Sequence, residues 1–382
     1  MLLNSIKKCI DKNFAYFVRF DADRINGTEY LFVSNKNPIM INENAIDKLN
    51  CIDEYLKNSS MVPMFVTYDF VDSIYPDIGI KKSSWPSVAM LIPEKVYTGK
   101  IVRNNSTKKI KNESIMDNNM EKIVSEIINR IKNGELLQMV ISKRFDVDGF
   151  NAISLLRNFL EYDKSMYVYY YKFGDMEIIG SSPENLFTLN GNEIMIDPIA
   201  GTRKRGNDEI EDLRLEKELL SDEKELLEHR MLVDLARNDL GKICIPGSVR
   251  VVKSMTIEKF STVQHIVSQV TGKLKTEKLG DILGAVFPAG TVSGAPKKRA
   301  MQLINLYEEK PRGPYAGTLG IVGKNYADMA LLIRSLYKNK DGSYIQAGAG
   351  IVKDSIPENE IHEMYSKALT VIGGLYEKDI NN

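Results

Sequence analysis

The sequence predicts an α+β fold, a layered antiparallel-sheet sandwich with flanking helices, on three observations. Strand-like runs meet across turn residues that accept positive φ. Stretches of helical period lie between them, and no regular strand–helix–parallel-strand alternation is found.

The elements follow in order. Residues 1–115 read as short strands ("EYLFVS", "MFVTYDF", "VAMLIPE") broken by Asn, Lys and Pro, and the polar stretch "RNNSTKKIKNES" from Arg103 marks a surface connection. We therefore expect a shortened amino-terminal region over 1–115, partly interlocked with the core, and a catalytic region over 116–382. From Asn118, apolar Ile123, Val124, Ile127, Ile128 and Ile131 recur at helical spacing, and Asn133-Gly134 ends the run. A buried strand, "LLQMVISKRF", comes next. "MYVYYYKF" then meets "MEIIG" across Gly174-Asp175, and "LFTL" meets "EIMIDPI" across Asn190-Gly191-Asn192, as hairpins. In the charged region after Asn207, Leu213, Leu219, Leu220, Leu226, Leu227, Met231 and Leu235 form an apolar stripe, with Ser221 or Asp222 capping a second helix. "MALLIRSLY" and "SYIQAGAG" pair across Asp341-Gly342, and a last helix opens near Pro357 and stops at Gly373-Gly374.

Bulk composition excludes several classes of function. Lys plus Arg and Asp plus Glu each total 51 in 382 residues, so no overall field draws nucleic acid or an anionic membrane. Cys9, Cys51 and Cys244 lie far apart without CxxC spacing, which argues against a disulfide frame or a zinc site. No apolar run has the length of a membrane span or the form of a signal peptide, so a soluble, cytoplasmic protein is expected.

Several residues have chemical potential. Glu225 and Glu228 share one helix face, and Glu360 and Glu363 another. Such pairs are ordinarily solvated surface, but two of these faces meeting across Mg²⁺ would supply the few carboxylates that ion prefers. "AGAGIVKDSIPENE" sets a glycine edge, able to offer backbone N–H groups to an anion, just before the second pair. A glycine edge for an anion beside carboxylates that repel one calls for a cation between them. Thr291 and Ser293 precede a helix start near Ala295-Pro296, where hydroxyls and first-turn N–H groups hold an anion or simply cap the helix. Tyr315 is flanked by glycines, and Arg334 interrupts an apolar strand, where it needs either an internal or a ligand carboxylate. Of the three histidines, His265 stands in an alternating strand, while His229 and His362 adjoin the acidic faces.

Eight stretches, "GSSPENLF", "DPIAGTRKRG", "EHRMLVDLARNDLGKICIPGSV", "QHIVSQV", "FPAGTVSGAPKKRAM", "RGPYAGTLG", "LLIRS" and "QAGAGIVKDSIPENE", occur together and in order. Over about 118–374 the chain resembles the chorismate-utilising enzymes, most closely their anthranilate-forming branch. The resemblance implies that fold, and an enzyme that adds ammonia at C2 of chorismate as the C4 hydroxyl leaves, then expels pyruvate. It implies Glu228 and Glu363 as Mg²⁺ carboxylates with Glu225 and Glu360 behind them. Tyr315, Arg334 and the N–H groups of Gly348 and Gly350 would hold a substrate carboxylate, and Thr291 would stand beside the ring. Glu184 would be the acid for the departing hydroxyl, and His265 would serve the later elimination.

Two positions sort the relatives. Isochorismate and salicylate synthases carry a lysine base where this chain has Gln138, and many aminodeoxychorismate synthases carry a lysine where it has Ala200. Glutamine cannot activate water, so ammonia is the expected nucleophile. Aminodeoxychorismate synthase component I, an isochorismate or salicylate synthase, and a non-catalytic binding subunit are the alternative readings. The family's Leu-Leu-Glu-Ser element for tryptophan feedback is replaced by "FAYFVRFDADRI". No cysteine stands in a glycine-flanked nucleophile turn, so a separate glutamine amidotransferase subunit is expected to supply ammonia.

Overall fold

The computed structural model describes residues 2–57, 59–103, 117–206, 208–259 and 263–375. Two antiparallel sheets face each other. The first runs, edge to edge, Gly294–Ala295, Gln138–Asp146, Gly342–Ile351, Ser335–Asn339, Met176–Ser182, Tyr167–Phe173, Asn13–Phe20, Asn26–Ser34 and Lys95–Val102. The second runs Ile199–Lys204, Val263–Lys273, Glu193–Ile196, Asn185–Asn190, Tyr326–Leu331, Thr318–Gly323, Met61–Val66, Val88–Met90 and Ile39–Ile41, with Arg250–Lys259 also pairing on Val263–Lys273. The expected α+β sandwich is therefore present, and strands from before residue 103 enter both sheets.

The tyrosine-rich strand shows how the layers are joined. Tyr167, Tyr169 and Tyr171 alternate onto one face, as strand geometry requires, and all are fully buried. Each hydroxyl reaches the opposite sheet or its connection: Tyr167 donates to Asp328 at 2.6 Å, Tyr171 to the Gly320 carbonyl at 2.9 Å, and Tyr169 lies 3.3 Å from the Leu331 carbonyl. Rings fill the interlayer core while their polar ends stay satisfied, which phenylalanine could not provide across a hydrogen-bonding wall. On the other face, Tyr170 donates to Glu177 and packs edge-on against Phe14.

Helices cover the sandwich. Asn118–Lys132 buries Met120, Val124, Ile127, Ile128 and Ile131, and the Asp117 carboxylate caps its first turn by accepting from Met120 N–H. Glu209–Ser221 is followed directly by Glu223–Ile243, whose cap is Asp222, one of the two expected residues. The three glycine or asparagine turns form the hairpins read from the sequence. No helix among the described residues is long and apolar enough to cross a membrane.

The structure departs from expectation at five places. Of the expected apolar stripe, Leu213, Leu220 and Leu227 are exposed, and the two helices instead bury Leu215, Leu219, Leu232, Ala236, Leu240 and Ile243. "MFVTYDF" is strand only to Val66, after which Tyr68–Phe70 is a 3₁₀ turn. The last helix passes through Gly373-Gly374 to Leu375. "MALLIRSLY" is two strands, broken at Arg334 in the left-handed region with φ 48°. Thr291 and Ser293 do not cap the helix Lys297–Tyr307, because their hydroxyls bond Glu184 and the Ala289 carbonyl. Most of the stretch "RNNSTKKIKNES" falls outside the described residues.

Candidate functional site

Two chain crossings from sheet to sheet create the site. Pro183-Glu184 links Met176–Ser182 in the first sheet to Asn185–Asn190 in the second, and Leu332–Arg334 links Tyr326–Leu331 back to Ser335–Asn339. The crossings are stitched together, Leu331 N–H donating to the Glu184 carbonyl at 3.0 Å and Ser181 N–H to the Arg334 carbonyl at 3.2 Å. Glu184 and Arg334 thereby reach the same cavity, of about 550 Å³. Ala200, His265, Thr291, Tyr315, Gly348, Gly350 and Glu363 also line it. Of the residues singled out from sequence, Gln138, Glu225, Glu228 and Glu360 lie outside that lining.

Glu184 lies partly buried in the cavity wall, where desolvation pushes its carboxyl up to about 7 against the opposing pull of a 2.6 Å hydrogen bond from Thr291 Oγ1. His265 is lowered, chiefly by burial. Its Nδ1 lies 3.1 Å from the Gly201 carbonyl and 2.9 Å from Thr202 Oγ1, which places the proton of the neutral ring on Nδ1 and the lone pair on Nε2. Arg334 forms no ion pair with a protein carboxylate among the described residues, so its guanidinium is available to an acidic ligand.

The glycine edge follows from strand register. Gly348 pairs opposite Ser142 and Gly350 opposite Val140. Ser142 N–H and Val140 N–H both point away from this pairing, to Glu308 and to the Ser293 carbonyl. Both are thus non-hydrogen-bonded pairs, in which the opposing N–H groups also turn outward. The strand Ser335–Asn339 that borders this side reaches only to Ile345. Gly348 and Gly350 therefore present N–H groups beyond its end. Crowding excludes a side chain at Gly348, where a Cβ would lie 2.5 Å from Tyr315 Oη and 2.7 Å from the Ile141 carbonyl; at Gly350 it would meet only the far end of the Gln138 side chain, 2.9 Å from Nε2.

The four glutamates approach from two helices. Glu228 is pushed up to about 7, first by burial and then by Glu225, Glu360 and Glu363, against the pull of Lys224; Glu360 is raised by burial and Glu363. Their neighbours restrain them. Glu225 takes Arg203 at 3.2 Å, Glu360 takes the Ser355 hydroxyl at 2.7 Å, and Glu363 pairs with Lys367 at 2.6 Å. No three acidic, histidine or cysteine groups among the described residues are gathered closely enough to enclose an ion. The acid set nonetheless fits a hard divalent cation in charge and donor type, since mutual repulsion is what such an ion relieves.

Sequence reasoning missed Lys367 and Gln346. Lys367 lines the cavity and donates to the Gly348 carbonyl at 3.1 Å, and its spacing four residues after Glu363 was a readable signal. Nothing local distinguishes Gln346. The whole arrangement can receive a ligand with two carboxylates, protonate a leaving group, and accept a proton at an imidazole.

Comparison with known proteins gives a consistent picture. Residues 82–373 match the family described as chorismate binding enzyme. A protein of Saccharolobus solfataricus named anthranilate synthase component 1 is 38% identical over 94% of this chain and 94% of its own length. One of that name from Aquifex aeolicus is 51% identical over 65% of this chain, which spans 51% of that relative's length. The crystal structure of anthranilate synthase component I from Streptococcus pneumoniae superposes with a TM-score of 0.74 at 32% identity, covering 94% of this chain and 92% of the other.

Proposed function

This chain belongs to the chorismate binding enzyme family, and we propose that it is the large subunit of an anthranilate synthase, converting chorismate and ammonia to anthranilate and pyruvate in tryptophan biosynthesis. The observation that carries this reading is Glu184, a desolvated acid poised near neutrality in the wall of a cavity that Arg334 and Lys367 also line.

Arg334, Tyr315 and the outward N–H groups of Gly348 and Gly350 would hold one carboxylate of the dianionic substrate. Glu228 and Glu363, with Glu225 and Glu360 behind them, would hold Mg²⁺. When bound, that ion neutralises the other carboxylate. Glu184 gives its proton to the C4 hydroxyl, which leaves as water while ammonia bonds to C2 and the ring double bonds shift; the proton surplus on nitrogen passes to solvent. His265, with its lone pair at Nε2, would take the C2 proton as the C3–O bond breaks and the ring becomes aromatic; the departing enolate takes a proton from solvent to become pyruvate. Gln138 and Ala200 place no amine where related enzymes activate water or attack the ring. Ammonia therefore acts directly.

The numbered naming of the relatives supports a second subunit, and a glutamine amidotransferase delivering ammonia is the partner this chemistry needs. Cytoplasmic residence suits free thiols at Cys9, Cys51 and Cys244. Tryptophan should inhibit weakly, because "FAYFVRFDADRI" lacks the feedback element and its Arg19 is tied to Asp328 at 2.7 Å.

The deciding experiment incubates the purified chain with chorismate, magnesium and ammonium at mildly alkaline pH and identifies the product by fluorescence and mass. Nitrogen ortho to the carboxylate supports the reading. A para-amino product would make the chain an aminodeoxychorismate synthase component I, and product without nitrogen would make it an isochorismate or salicylate synthase.

A further inference from the structure

Gln346 is only 3% exposed and borders both the main cavity and a second one, of about 190 Å³, which Ser142 and Glu308 also line. Its Nε2 lies 2.8 Å from Ser142 Oγ, and its Oε1 is buried without a hydrogen-bond partner.

The groups behind it settle which way the amide faces. Glu308 accepts both contacts of a buried bidentate pair with Arg312, at 2.9 and 2.7 Å, and also accepts from Ser142 N–H at 2.9 Å. Ser142 Oγ, 2.6 Å from Glu308 Oε1, must spend its single proton there. Toward Gln346 it can then only accept, and only the amide nitrogen can donate to it. The Arg312–Glu308–Ser142 chain thus fixes the amide with its carbonyl oxygen turned away from the relay, as a buried acceptor in the cavity wall. Such an oxygen is costly to leave without a donor.

We propose that Gln346 Oε1 accepts one N–H of the incoming ammonia and orients its lone pair toward the ring. The proposal rests on the aminating reading above. Ammonia suits this acceptor: one of its three N–H bonds is held while the lone pair stays unengaged. An amide oxygen is too weak a base to remove a proton. Gln346 is therefore a positioning residue for the nucleophile, Glu184 remains the acid, and the proton surplus on the new C–N bond goes to solvent as before.

The test measures the KM for ammonia at saturating chorismate, together with the chorismate dissociation constant by calorimetry, for the wild type, Gln346→Met, Gln346→Leu and Ser142→Ala. Loss of the acceptor is expected to raise the ammonia KM about tenfold, with the chorismate constant unchanged. Ser142→Ala, which frees the amide to rotate, should move the ammonia KM the same way by less, and it stands in if the Gln346 variants fail to fold. An unchanged ammonia KM, or one that rises only in step with the chorismate constant, overturns the proposal. A wild-type enzyme that forms no nitrogen-containing product defeats the aminating reading itself, and does so before any variant is made.

Discussion

Thr291 Oγ1 donates a 2.6 Å hydrogen bond to Oε1 of the partly buried Glu184, so the proton that Glu184 carries when neutral resides on its other oxygen. A threonine hydroxyl thereby both orients the acid and moderates it, since donation to a carboxylate favours the charged form.

Replacing Thr291 with valine removes that donor, and the Glu184 pKa must rise above about 7. Turnover requires the protonated acid, so it falls as pH climbs through that pKa. In kcat profiles taken at constant free ammonia, the alkaline limb should therefore move to higher pH in Thr291→Val. Glu184→Gln should lower kcat by about 10²- to 10⁴-fold across the whole range. A limb unmoved by Thr291→Val would separate Glu184 from the acid step.

The repelling glutamates predict a response to metal. Folded Glu228 titrates near 7, above the ordinary carboxylate range, so stability is lost as pH rises toward and through 7. At pH 8, Mg²⁺ should raise the melting temperature of the wild type by about 2 °C or more. Glu228→Gln should melt slightly higher than the wild type without metal and show no shift with it. Glu363→Gln, or a chelator added to the wild type, should abolish turnover while the protein stays folded; full activity under chelation would remove the metal assignment.

Gly348 and Gly350 should differ in their tolerance of alanine. At Gly348 the new methyl meets Tyr315 Oη at 2.5 Å and the Ile141 carbonyl, part of the backbone, at 2.7 Å. At Gly350 it meets only the far end of the Gln138 side chain, at 2.9 Å. Gly348→Ala should raise the KM for chorismate by about tenfold or more, and Gly350→Ala by clearly less. Steady-state kinetics on both variants decides this; equal effects would mean that crowding is not what reserves Gly348 for glycine.

The Arg312–Glu308 pair predicts asymmetric stability effects. Arg312 also donates to the Val140 and Val292 carbonyls, each at 2.7 Å, and so locks a strand to the turn bearing Thr291. Arg312→Met leaves Glu308 buried without its cationic partner and should cost about 3–5 kcal/mol in urea unfolding. The double variant Arg312→Met/Glu308→Met should recover part of that loss.

Hairpins and amphipathic helices were legible because turn chemistry and periodicity are local. The carboxylate pairs were readable as helix faces, although their convergence on one place comes from the resemblance and not from spacing. Arg334 misled as a strand interior, since its left-handed φ is imposed by a return between sheets that no local pattern encodes. Thr291 and Ser293 misled as caps because Glu184, more than a hundred residues away, claims the Thr291 hydroxyl. Gln346 was invisible for the same reason: its orientation is set by Ser142, Glu308 and Arg312, which come together only in the folded chain.

The interleaving of early strands with late ones also governs how the chain is made. Phe14 pairs with Lys172 and Met61 with Gly323, so strands that leave the ribosome first wait for partners synthesised much later. Until those arrive, apolar edges stand open to other nascent chains. Chaperone supply and translation speed, more than final stability, should therefore set the yield of active protein in a cell.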